Sequence, residues 1–232
     1  MPYCTGDIYS GRHTAVYGNK TVYHEGHLNV AKVLEVLVAQ TSLAQARDVV
    51  FFGESAGALG VLLNLNQVDA VTPKAERRLA LLDSPGLHFK DDVWQRFDAT
   101  YLDGIRQGLL DNHMVFDTSS GILAPQLLNY CAGFPNWKIG VVQATKDIVM
   151  SVGFGNLTPD QHAARVNGPT GIVQQLANPN DNCVSWVPNK MRHVYSVDPK
   201  GWVDQTEDGV TDETFVNELY ASRLEDPHLS HH

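Results

Sequence analysis

The sequence predicts an α/β fold, an α/β-hydrolase-like mostly parallel sheet flanked by helices, and three observations predict it. Apolar β-runs alternate with segments of helical periodicity, which is the pattern of a doubly wound sheet. The run Val49-Val50-Phe51-Phe52 is β-branched or aromatic without polar alternation, as suits a parallel strand buried on both faces. The length of 232 residues, with 43% hydrophobic and 19% charged residues, fits one globular domain spanning residues 1–232.

The elements follow in chain order. An opening loop rich in Gly, Thr and Tyr leads to residues 28–40, where Leu28, Ala31, Leu34 and Val38 recur at helical spacing opposite Asn29, Lys32 and Glu35. Thr41-Ser42 breaks that helix, and residues 49–52 form the first strand. A helix over about 55–70 ends at the turn Thr72-Pro73, and residues 78–83 form a second strand closing at Ser84-Pro85-Gly86. Residues 90–130 are mostly helical in pattern, interrupted at 118–121. The third strand covers 138–143 and leads to Asp147; a helix over 159–176 is broken by Gly168-Pro169; the last strand covers 183–187, with His193 in or beyond the following loop. After Lys200 the chain is acidic (Asp204, Glu207, Asp208, Asp212, Glu213) and then helical to Leu224, as in a solvated edge helix.

A formal net charge of -9 disfavours nucleic acid as the main partner, because phosphate binding needs a basic face that releases counterions. No apolar run reaches the length needed to span a bilayer. The three cysteines Cys4, Cys131 and Cys183 allow at most one intrachain disulfide, whose pairing spacing leaves open. Asn19-Lys20-Thr21 and Asn156-Leu157-Thr158 match the glycosylation triplet, the second weakened by Pro159. No signal peptide precedes Tyr3-Cys4-Thr5-Gly6-Asp7, and this opening reads as the end of a strand and its loop, as though amino-terminal strands were lacking. Oligomeric state is left open.

Gly53-Glu54-Ser55-Ala56-Gly57 has the G-x-S-x-G pattern of a nucleophile elbow, and it stands where the pattern requires, after an apolar strand and before an apolar helix. The glycines remove Cβ atoms where strand and helix backbones approach. Ser55 is the candidate nucleophile, and the Ala56 N–H at the helix start is a candidate oxyanion donor. A serine hydroxyl needs a histidine to take its proton and a carboxylate to hold the imidazole in the right tautomer. Asp83 and Asp147 both close a strand downstream of Ser55, and either can be the acid by position. His193 follows the last strand, whereas His228, His231 and His232 belong to the tail. Taken singly, Asp83 and Asp147 read equally well as turn or helix caps and His193 as a half-buried loop residue; the order Ser, Asp, His at successive strand ends favours chemistry. His24-Glu25-Gly26-His27 is one residue short of the zinc-peptidase spacing, and the cysteines lack a C-x-x-C pair, so no metal or other cofactor is expected.

Tyr3-Cys4-Thr5-Gly6-Asp7-Ile8-Tyr9-Ser10-Gly11, the Gly53 to Gly57 elbow, Gly60-Val61-Leu62-Leu63-Asn64 and Leu81-Leu82-Asp83-Ser84 together resemble the pectin acetylesterase and Notum family of α/β-hydrolases. The resemblance extends from Pro2 to about Phe89, is thin in the middle, and returns at Val141-Val142-Gln143 with Asp147 and over residues 184–193. It implies a serine carboxylesterase with Ser55 as nucleophile, Asp147 as acid and His193 as base, Asp83 becoming structural. Members of that family remove acetyl groups from pectin or a fatty acyl group from a protein, and are extracellular. The expected substrate is accordingly a short acyl ester of a carbohydrate. The alternatives are a Notum-like long-chain deacylase, with Trp94, Phe97, Tyr101, Leu109, Leu110 and Phe116 lining an acyl pocket or simply the core, a non-catalytic or truncated binding member, or a serine peptidase. Two departures stand out. Ala58 replaces a second glycine, and the family's glycine-rich oxyanion loop lies upstream of the Tyr-Cys segment, so one donor is expected to be missing, a loss of roughly a hundred- to a thousandfold in rate.

Overall fold

In a computed structural model, residues 1–178, 182–222 and 230–232 are described, and the chain opens on an antiparallel hairpin of β1 (His13–Tyr17) and β2 (Lys20–His24). This hairpin occupies what the sequence pattern presents as loop. Gly18, at φ +63°, supplies the left-handed residue that a two-residue turn needs, and Asn19 sits exposed beside it. Helix α1 (Gly26–Gln40) follows and is stopped at Thr41, as predicted.

Four parallel strands, β3 (Asp48–Glu54), β4 (Arg77–Asp83), β5 (Lys138–Val142) and β6 (Cys183–Trp186), form the main sheet in that spatial order. The connections contain α2 (Ala56–Val71), then α3 (Ala99–Asp111) and α4 (Leu127–Gly133), then a π-helical stretch Val149–Gly155 with α5 (Pro159–Val166) and α6 (Ile172–Gln175). Beyond β6 come α7 (Pro199–Trp202) and α8 (Asp212–Ala221). The break between α5 and α6 contains Gly168-Pro169, and the predicted interruption in the middle segment is wider, residues 112–123. The predicted helix end at Leu224 and the tail residue His228 lie outside the described residues.

Strand alternation divides the core. Ala80, Leu82, Ile139 and Val141 point into the larger cluster with α2, α3 and α4, while Leu79, Leu81, Val142, Val184 and Trp186 point into a second cluster with Phe215 and Leu219 of α8. A disulfide between Cys131 and Cys183 ties α4 to β6, and Cys4 is free and exposed.

One expectation is corrected. β3 is an edge strand of this sheet, with Val50 51% and Phe52 38% exposed, so it is not buried on both faces. A four-residue apolar run carries no information about which strand lies at an edge. For the same reason the apolar face of α1 is only partly used: Leu34 packs on the core, whereas Leu28 and Val38 remain exposed. Among the described residues no helix is long and apolar enough to cross a membrane.

Candidate active site

Ser55 stands between the end of β3 and the start of α2 at φ 54° and ψ -120°, a conformation that costs a non-glycine residue about 1–3 kcal/mol. Hydrogen bonds on both sides hold it there. Its N–H donates to the Asp83 carbonyl at 2.8 Å, and its carbonyl accepts from the N–H of Ala58 at 3.0 Å. Gly53 is where strand and helix meet most closely, since a Cβ there would lie 2.1 Å from the Gly57 carbonyl oxygen. Ala56 opens α2, where helix geometry leaves the first N–H groups without intrahelical partners.

Asp147 is fully buried just past β5, and its two oxygens divide the work. Oδ1 accepts from the N–H groups of Val149 and Met150 at 3.0 and 2.9 Å and so caps the π-helical stretch. Oδ2 accepts from His193 Nδ1 at 2.8 Å and from Gln143 Nε2 at 3.2 Å. A carboxylate on Nδ1 places the ring proton there and leaves Nε2 as an acceptor. That Nε2 is buried and has no hydrogen-bond partner among the described residues. His193 and Ser55 line the same cleft of about 790 Å³, which runs along the β3 edge beside α1.

The two candidate acids are thereby distinguished. The Asp83 carboxylate faces the backbone after His193: Oδ2 accepts from the N–H groups of Tyr195 and Ser196 at 2.8 and 2.7 Å, and Oδ1 from the Ser84 hydroxyl at 2.9 Å. Burial pushes its pKa up, against the lowering effect of these bonds and of nearby His193. The imidazole of His193 is bonded to Asp147 and not to Asp83.

A second, apolar cavity of about 230 Å³ also begins at Ser55 and Ala56. Of the aromatic and aliphatic candidates in the middle segment, Trp94, Phe97, Tyr101 and Leu109 line it. Leu110 is half exposed, and Phe116 packs edge-on against Trp94 with ring centroids 4.9 Å apart.

Other histidines that the sequence singles out are bonded away from Ser55 and Asp147. His24 bonds the Thr5 carbonyl and the Tyr17 hydroxyl, His27 bonds Asn64, and His231 bonds Asp208. Described residues contain no group of three or more His, Cys, Asp or Glu side chains placed to hold a metal ion. Gln143 and Ser84, which the sequence does not single out as site candidates, are fully buried here one step past β5 and β4. Their only mark in the sequence is a polar residue at the close of an apolar run.

The parallel sheet flanked by helices, with a tight strand-to-helix turn at Ser55 after its edge strand, is an α/β-hydrolase-like fold. Residues 1–104 match the family model described as pectinacetylesterase, and the resemblance read in the Tyr3 to Gly11 and Gly53 to Gly57 segments is to the pectin acetylesterase and Notum family. Among solved structures the chain is similar to the Wnt deacylase Notum from Drosophila, with TM-score 0.60 and 18% identity, over 100% of this chain and 70% of that one. A search of curated proteins finds no match.

Proposed function

We propose that this chain, as one hydrolase-like domain over residues 1–232, is a serine carboxylic ester hydrolase. The observation that carries the reading is the hydrogen bond between His193 Nδ1 and Asp147 Oδ2 at a cleft that Ser55 also lines. His193 Nε2 takes the proton as Ser55 Oγ attacks the ester carbonyl, and the new imidazolium is stabilised by Asp147. The Ala56 N–H, at the start of α2, donates to the oxyanion. Collapse breaks the ester C–O bond, the leaving alcohol receives the proton from His193, and an acyl-Ser55 remains. Water, deprotonated by His193, then releases the acid and restores Ser55.

The first reading for substrate is acetyl or another short acyl group on a carbohydrate, supported by the pectinacetylesterase match over residues 1–104. A second reading, a deacylase of longer chains, is favoured by the apolar cavity behind Ser55, whose 230 Å³ equals the volume of about eight waters and admits a chain of similar size. The similar solved structure is itself named a deacylase. The Cys131 to Cys183 disulfide supports an oxidising, extracellular setting.

The test is hydrolysis of p-nitrophenyl acetate and p-nitrophenyl octanoate beside Ser55→Ala. Turnover that vanishes in the variant is expected, and the ratio of the two esters decides between the acyl classes. Equal turnover by wild type and Ser55→Ala would refute the nucleophile, and no turnover by either would favour a binding module.

A further inference from the structure

We propose that Asp83 and Ser84 are the positioning pair of this site, holding residues 194–196 so that the His193 ring keeps its place in the cleft that Ser55 also lines. The inference rests on the triad proposed above. Three consecutive N–H groups directly after His193 are bound by these two adjacent side chains. Val194 N–H donates to Ser84 Oγ at 3.0 Å, and those of Tyr195 and Ser196 donate to Asp83 Oδ2 at 2.8 and 2.7 Å. Ser84 Oγ in turn donates to Asp83 Oδ1 at 2.9 Å, so the pair is internally locked.

The same turn reaches the other two members. Ser55 N–H donates to the Asp83 carbonyl at 2.8 Å, which places the backbone of the nucleophile and the loop of the base on one residue. Ser84 N–H donates to the Val142 carbonyl at 2.7 Å. Two residues further, Gly86 N–H donates to Gln143 Oε1 at 2.8 Å, and Gln143 Nε2 donates to the Asp147 oxygen that pairs with His193.

Backbone conformation explains why holding is needed. Val194 sits at φ +69° and Ser84 at φ +59°. For a β-branched residue such as Val194 the left-handed region is a genuine outlier, so the loop keeps this shape only while its N–H groups have these acceptors. Without them the loop relaxes toward extended backbone and carries the imidazole out of the cleft that it shares with Ser55. Asp83 bonds backbone N–H groups and not the imidazole, so it acts through the loop and is a positioning residue.

The experiment compares Asp83→Ala, Asp83→Asn and Ser84→Ala with wild type in p-nitrophenyl acetate hydrolysis, reading kcat and KM separately, and follows phosphonylation of Ser55 by a fluorophosphonate with Ser55→Ala as blank. A misplacement of about 1 Å costs on the order of a hundredfold, so Asp83→Ala is expected to lose that much in kcat and labelling rate while KM moves less than about twofold. Ser84→Ala, losing one of the three bonds, is expected to lose about tenfold. Asp83→Asn keeps an oxygen that can accept from Tyr195 and Ser196 and is expected to recover most of the rate. Wild-type kcat in Asp83→Ala and Ser84→Ala overturns the proposal, and so does an Asn variant as slow as the Ala variant, because charge and not position would then matter. If Asp83→Ala fails to fold, Ser84→Ala decides by the same kcat and KM split. Wild type that neither turns over nor labels sinks the triad and the pair together, whereas an active, labelled wild type with unaffected variants sinks the pair alone.

Discussion

Replacing Gly53 by alanine tests whether the elbow is built by backbone contact. A Cβ at position 53 would lie 2.1 Å from the Gly57 oxygen, 2.4 Å from the Gly57 carbonyl carbon and 2.9 Å from the Ala58 nitrogen. All three are main-chain atoms, so no rotamer change relieves the contact. Real Cβ contacts under 3.0 Å are essentially unknown, so β3 and α2 must separate locally by at least the difference, 0.9 Å. Overpacking of this kind costs about 3 kcal/mol, which for a chain of this size lowers Tm by roughly 6–12 °C. The same displacement moves Ser55, and the expected fall in kcat/KM is on the order of a hundredfold. Gly57 is the internal control. A Cβ there meets nothing within 4 Å, and the residue already lies in α2, so Gly57→Ala is expected to gain about 0.5–1 kcal/mol and raise Tm by a few degrees. The assay is thermal unfolding by circular dichroism alongside p-nitrophenyl acetate hydrolysis. If Gly53→Ala melts and turns over like wild type, or if the two variants fall together, the contact reasoning is wrong.

Three further outcomes follow from named contacts. The Cys131 to Cys183 bridge closes a separation of 52 residues, and replacing both cysteines by alanine is expected to cost about 4 kcal/mol in a denaturant titration, while Cys4→Ser changes nothing; equal midpoints for all three proteins would refute it. Burial, and after it the Asp83 carboxylate, raises the pKa of Asp212 to about 7 against a hydrogen bond from Ser196. A folded pKa above the unfolded value of 3.8 means that the contribution of Asp212 to stability is full below about pH 4 and is lost as pH rises through about 7. Asp212→Asn is therefore expected to gain on wild type between about pH 5 and 8, by at most about 4 kcal/mol, and urea midpoints showing the same difference at both pH values would count against this. Leu59, one turn into α2, lines the apolar cavity, and Leu59→Phe is expected to lower octanoate turnover roughly tenfold or more while acetate turnover changes little, each lost methylene contact being worth about 0.8 kcal/mol; parallel losses would mean the cavity does not take the acyl chain.

What the sequence made legible follows burial. The second, third and last strands are found within a residue of their predicted positions, because β5 and β6 are buried along their whole length and β4 from Leu79 on, so each reads as a nearly continuous apolar run. The edge position of β3 and the exposed face of α1 were not legible, since composition does not say which neighbour is present. The hairpin at residues 13–24 was missed because Val16, Tyr17 and Tyr23 are exposed, so no buried stripe marks it, and only Gly18-Asn19 hinted at the turn. At the site, residue order pointed to Ser55 and His193, but Asp83 and Asp147 are alike as carboxylates closing strands. Which oxygen is left for an imidazole depends on backbone N–H groups more than a hundred residues away from Asp83, at Tyr195 and Ser196, and pattern does not carry that information. Cysteine pairing is the same kind of problem: three residues allow three pairs, and only the approach of α4 to β6 selects Cys131 with Cys183.

Sheet register then explains why so many polar groups meet here. Glu54 pairs with Asp83, Asp83 with Val142, and Val142 with Trp186, so four parallel strands end level. One residue beyond that row the backbone steps across the sheet: Ser55 N–H bonds the Asp83 carbonyl, Ser84 N–H that of Val142, and Gln143 N–H that of Trp186. The proposed nucleophile, the Ser84 hydroxyl and the Gln143 amide are therefore placed by three successive rungs of one ladder, anchored in strands whose side chains fill both cores. Ser55 and Ser84 adopt positive φ at this row, and so does Val194, which lies beyond β6 and bonds Ser84 Oγ through its N–H; each costs about 1–3 kcal/mol. Strain of that size persists only where surrounding contacts over-determine it, and here it is held by interior strands, while the mobile part of a loop would let it go. A site built this way is sensitive to anything that shifts β4 against its neighbours; the hairpin of β1 and β2 shares no rung with this ladder and reaches the apolar cavity only through side chains, His24 packing edge-on against Tyr101.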